Sequence, residues 1–99
     1  MIVEFDGDVF QWDARTDSAW FFTALPIELS DDIREIPRPH RGFGSVRVRA
    51  QVGGSTWLTS IFPGSNHGAY VLPLKKSVRD AESLVDGGPV SVRLEVLDA

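Results

Sequence analysis

Two groups of basic residues have the spacing to hold an anion. Arg47 and Arg49 lie two apart in an alternating run, so both project from one face of an extended strand. Lys75, Lys76 and Arg79 open a short helical segment, where free amide hydrogens also favour negative charge. Were the two groups to converge, they would form an anion or nucleic-acid patch, with Tyr70 or Phe62 as a stacking platform. A second kind of chemistry is written in Ser65-Asn66-His67, a hydroxyl, an amide and an imidazole in consecutive positions. The trio has the groups for acid–base work, but it is also ordinary turn composition. His40, between Pro39 and Arg41, reads as a solvated loop residue. The chain has no cysteine, which removes disulfides, thiolate metal sites and a cysteine nucleophile. Its two histidines cannot build a histidine-rich cage, and its carboxylates show no metal-loop spacing. There is no phosphate loop and no dinucleotide fingerprint. These residues therefore assign no catalytic group, no metal ligand and no cofactor.

The charges are segregated. Residues 1–35 carry a balance of −7 and residues 80–99 a balance of −4. Residues 36–79 contain no acid and carry +7. Such blocks make either an anion-binding face or a surface whose parts neutralise one another. The formal net charge of −4 favours neutralisation, since a dedicated nucleic-acid binder is usually basic. Arg47 and Arg49 are then expected beside carboxylates such as Glu4, Asp6 or Glu95.

At 99 residues, 42% hydrophobic and 24% charged, the chain has the size and composition of one small globular domain, residues 1–99. No apolar run approaches the ~20 residues of a membrane span, and the start is acidic and alternating rather than signal-like. A soluble cytoplasmic protein is the expectation. Residues 2–12 alternate as a strand, interrupted at Gly7-Asp8. Residues 19–25 form a strand so apolar that both faces could be covered, stopped by Pro26. A short helix follows over 27–36, then a stiff basic loop with Pro37 and Pro39. Residues 45–52 put Val46, Val48, Ala50 and Val52 inward. Gly53-Gly54 turns that strand into its partner over 55–62, with Val52 facing Ser55 and Trp57 over Ala50. A strand over 69–74, a helix over 75–85 ended by Gly87-Gly88, and a last strand over 89–98 complete the chain. The helix is expected to use Val78, Ala81, Leu84 and Val85 as apolar contacts. Trp12, Trp20 and Trp57 have the size to line a ligand pocket, although strand aromatics are more often core. The fold class is mostly β: a small six-stranded barrel capped by two short helices.

Leu25-Pro26-Ile27-Glu28-Leu29-Ser30 and Leu72-Pro73-Leu74-Lys75-Lys76-Ser77 match at an offset of 47, with Leu, Pro and Ser identical. Each follows an aromatic strand and precedes a short helix, a glycine-containing loop and an alternating strand. The pattern suggests an internal strand–helix–strand pseudo-repeat.

Four features in order resemble the bacterial domain-of-unknown-function family 1905. They are the acidic first strand with Phe5; Trp20-Phe21-Phe22-Thr23-Ala24-Leu25-Pro26; Gly53-Gly54 with Trp57-Leu58-Thr59-Ser60-Ile61-Phe62-Pro63-Gly64; and Gly68-Ala69-Tyr70-Val71-Leu72-Pro73-Leu74 with Lys75, Lys76, Val78 and Arg79. The resemblance covers nearly the whole chain and implies a small closed β-barrel capped by helices. This chain has Gly87-Gly88-Pro89 where that family usually places Gly-Asp before its last strand. A weaker resemblance, from Leu72-Pro73 through Lys75 and Arg79 to the valine strand, is to the swapped-hairpin barrels of AbrB-type regulators. The reading these features favour is a non-catalytic module for a small molecule or a protein. The alternatives are a nucleic-acid-binding regulator and a small enzyme using the His67 loop. An occupied interior would favour the small molecule, a solid core the protein partner.

Overall fold

The computed structural model describes residues 1–11, 20–36, 44–64 and 68–97. His40, Ser65, Asn66, His67 and Trp12 lie outside the described residues. The elements are β1 (Ile2–Asp8), β2 (Phe10–Gln11), β3 (Phe21–Ala24), α1 (Ile27–Arg34), β4 (Val46–Val52), β5 (Ser55–Pro63), β6 (Tyr70–Pro73), α2 (Lys76–Ala81) and β7 (Pro89–Val96). The strands form one sheet in the order β1-β7-β4-β5-β6-β3-β2, with every neighbouring pair antiparallel. The chain is mostly β with two short helices, as expected.

The strand count among the described residues is seven rather than six, and Val9 is the reason. Gly7 does not break the first strand; it stays in the ladder opposite Val90. At Val9 the chain changes partners. Its N–H donates to the Gly88 carbonyl at 2.8 Å, and its carbonyl accepts from Gly87 N–H at 2.7 Å. Phe10 then pairs with Phe22. So β1 and β2, one residue apart in sequence, stand at opposite ends of the sheet order. The sheet curls, and β1 comes back against β3. Gly7 permits this by its lack of a side chain, since its φ is not positive. A Cβ there would collide with Thr23 Oγ1 and lie 3.4 Å from the Ala24 carbonyl oxygen.

The central hairpin follows the period-2 pattern. Val46, Val48, Ala50 and Val52 are buried, and Arg47, Arg49 and Gln51 are exposed. Gly53 supplies the positive φ of the two-residue turn, 55°, and the register sets Val52 opposite Ser55 and Ala50 opposite Trp57. From β7, Val90, Val92, Leu94 and Val96 join the same core.

The helices are tied to the sheet differently. Pro26 precedes α1, where its missing N–H costs nothing. Ile33 of α1 is fully buried in the core, and Ser30 Oγ accepts the buried N–H of Tyr70 at 3.0 Å. Ser30→Ala should remove that buried hydrogen bond and cost about 0.5–1.5 kcal/mol in a denaturant titration. A loss under about 0.5 kcal/mol would mean that the amide is solvated. Helix α2 ends earlier than its apolar spacing suggests. Ser83 takes a left-handed φ of 57°, and Leu84 N–H reaches back to the Arg79 carbonyl. Of the four expected contacts, Val78 is buried and Leu84 packs on the core, but Ala81 and Val85 are exposed. Gly87 and Gly88 therefore do not end the helix; they bind Val9. The strand read over 19–25 is also shorter: Phe22 and Thr23 are buried, while Ala24 is exposed. No helix among the described residues is long and apolar enough to cross a membrane.

Candidate functional site

A groove of about 650 Å³ opens between β5 and the β6–α2 connection. Pro73 explains why it is there. Among the described residues, strands β5 and β6 pair at Phe62–Val71 and Pro63–Tyr70, and Gly64 N–H donates to the Ala69 carbonyl just beyond them. Extending that register would set Ser60 opposite Pro73, which has no N–H to donate. β6 instead follows β3, with Phe22 opposite Pro73 and Leu74 N–H donating to the Phe21 carbonyl at 2.8 Å. The part of β5 that carries Trp57, Leu58 and Thr59 is left beside the start of α2, and the two diverge.

The lining combines large apolar groups with cations. Phe21, Trp57 and Leu74 line it from the core side, with Trp57 8% exposed. Trp20 and Leu58 stand at its mouth, 62% and 59% exposed. Lys75, Lys76 and Arg79 complete it. The Arg79 guanidinium lies 4.1 Å from the Phe21 ring centroid, and its Nε donates to the Leu74 carbonyl at 3.0 Å. Both contacts hold the arginine head in place beside the groove. Lys76 Nζ donates to Asp80 at 2.7 Å. That hydrogen bond, with the charges of Lys76 and Arg79, holds the Asp80 carboxyl below its usual range. The pair is well exposed, so it contributes little to stability.

The sequence-predicted residues divide. Lys75, Lys76 and Arg79 come together at the groove. Arg47 and Arg49 lie on the outward face of β4 and do not line it. Arg49 donates to Glu95 at 2.6 Å across the β4–β7 ladder, and Arg93 lies 3.9 Å from Glu4. Tyr70 is not available as a stacking platform. It is 2% exposed, and the Arg34 guanidinium sits 5.1 Å from its ring centroid. Phe62 is the more exposed of the two rings, on β5 opposite Val71. At six residues α2 is too short to offer an anion site by its dipole, so the positive charge at the groove is that of the side chains. Trp20 and Trp57, two of the three tryptophans with the size to line a pocket, do line the groove, and Leu58 is outward by the alternation that turns Trp57 inward. That Trp20 stands exposed is not legible, because an aromatic inside an apolar run reads as core. Among the described residues no three histidine, aspartate or glutamate side chains cluster as metal ligands.

A family model described as "Domain of unknown function (DUF1905)" matches residues 5–94. No curated protein matches the chain.

Proposed function

The chain belongs to the DUF1905 family, and on that premise we propose that it is a non-catalytic binding module. Its site is the groove between β5 and α2, and its ligand joins an apolar part to a negative charge. One observation carries this reading. Trp20 and Leu58 remain exposed together at a groove that also carries Lys75, Lys76 and Arg79. Large apolar groups held in water beside cations mark an interaction site more often than bare surface does. The volume also falls in the range of ligand sites, about 300–1,000 Å³. Nucleic acid is the weaker reading, since Arg49 is paired with Glu95 and Tyr70 is in the core.

Decanoate, below its micelle concentration, is a suitable probe because it carries both features. Calorimetry should detect binding to the wild type. Lys75→Glu with Lys76→Glu should weaken it at least tenfold, about 1.4 kcal/mol. Arg47→Ser with Arg49→Ser should leave it unchanged. Equal affinities in all three proteins, or no binding to any, would contradict the reading.

The finer architecture belongs to the same proposal. We take β1 and β2 as one strand that closes a six-stranded ring built from two related units. Two facts support this. Only Val9 separates the two strands at the ends of the sheet order. Exchanging β1–β2–β3–α1–β4 for β5–β6–α2–β7 also leaves the pattern of neighbours unchanged, because β3 pairs with β6 and β4 with β7.

A further inference from the structure

Resting on the reading of the groove as a binding site, we propose that its occupant is an acidic segment of a partner protein. That segment binds in extended form, as a strand added along the open edge of β5. The edge follows from the hairpin. A two-residue turn makes Val52 and Ser55 a hydrogen-bonded pair, and the bonding then alternates along the ladder. Ser55, Trp57, Thr59 and Ile61 aim their backbone groups at β4. Thr56 and Leu58 aim theirs the other way. Phe62 has the same parity as Leu58, and it is at Phe62 that β6 takes up pairing.

Among the described residues, no backbone group is bonded to Thr56 or Leu58 on that side. Register would bring Lys75 opposite Leu58, but the Lys75 carbonyl accepts from Val78 and Arg79 instead. An unpaired strand edge is a template for another strand. Here the edge borders the groove, since Trp57, Leu58 and Thr59 all line it. Trp57 faces the core and Leu58 the outside. An added strand, whose side chains also alternate, therefore meets apolar surface on both of its faces.

Charge selects the partner. Three cations line this groove. Asp80 is paired with Lys76, Glu82 accepts from Ser55 Oγ at 2.7 Å at the start of β5, and β5 itself has no charged residue, so the positive charge is concentrated beside Leu58 and Thr59. Lysines beside an edge deter neutral and basic strands from pairing, so the same residues that guard it admit an acidic one. The core argues in the same direction. Val48, Ala50, Ile61, Leu72 and Leu94 are fully buried, so the apolar interior is filled by the chain's own side chains. Apolar contact for a partner is available along β5, where the sheet splits.

The test uses an acetylated, amidated peptide of the sequence Glu-Val-Glu-Val-Glu-Val-Glu. Its controls are the same peptide N-methylated at every residue and the lysine analogue. Binding is followed by amide exchange of the labelled domain. The acidic peptide should slow exchange at Thr56 and Leu58 at least tenfold. The N-methylated form, which keeps the charges but cannot donate, should bind at least tenfold more weakly. The lysine peptide should not bind. Equal binding of the first two peptides would overturn strand addition while leaving the groove as a site. So would binding of decanoate with no peptide bound. Equal binding of the acidic and lysine peptides would overturn the charge argument. Failure of decanoate and all peptides would overturn both this inference and the function it rests on.

Discussion

Trp57→Ala should cost about 3–5 kcal/mol of stability, the range for large aromatic side chains removed from a core. For a domain of 99 residues this lowers the melting midpoint by more than about 10 °C. The size of the effect comes from two sides. Trp57 stands directly opposite Ala50, whose methyl group leaves space that only a large partner fills. It also closes the inner side of the groove where β6 has left β5, so no neighbouring strand can collapse into the space. Trp57→Phe should lose less than the alanine variant, because the ring still covers Ala50. A loss below about 1 kcal/mol for Trp57→Ala, read in urea, would mean that water already reaches the indole.

Gly7→Ala should cost about 1–3 kcal/mol, as for added atoms in a packed site. The conformation of Gly7 is one that alanine adopts freely, so the loss isolates the contact between β1 and β3. The obstacle is Thr23 Oγ1, fully buried and unable to retreat into solvent. The same Oγ1 has no hydrogen-bond partner among the described residues, so no hydrogen bond is lost with it. The coupling is measurable. In a Thr23→Ala background the Gly7→Ala change should cost much less, since its obstacle is gone. If Gly7→Ala stays within about 0.5 kcal/mol of wild type, β1 does not lean on β3. The proposed closure of the sheet through Val9 then fails with it.

The parts of the fold legible in the sequence are those governed by near neighbours. Val46, Val48, Ala50 and Val52 alternate with Arg47, Arg49 and Gln51, and Gly53-Gly54 sets a two-residue turn. Face, partner and register of the hairpin follow from those alone. The exchange of partners at Val9 is not local. Two strands far apart in sequence, β7 and β3, each offer an edge to one short segment, and the apolar pattern is the same for either. The end of α2 was hidden for a similar reason. Leu84 continues the helical spacing, yet it reaches the core after a left-handed turn at Ser83. Tyr70 reads as an exposed platform beside basic residues until Ser30 and Arg34 of α1 are packed against it. Of the candidate site, the cations at 75, 76 and 79 were legible as a group. The groove was not. It depends on β6 leaving β5 at Pro73, and on Trp20 remaining outside the core.

The groove beside α2, and not the arginine face of β4, is the binding site we propose for this domain. Chemical-shift mapping with decanoate on the labelled protein locates the site most directly. The largest changes should fall on the Trp20 indole and on the amides of Phe21, Leu58, Thr59, Lys75 and Arg79, with Arg47 and Arg49 unmoved. Changes centred on Arg47 and Arg49, with Trp20 and Leu58 silent, would move the site to the β4 face and overturn the proposal.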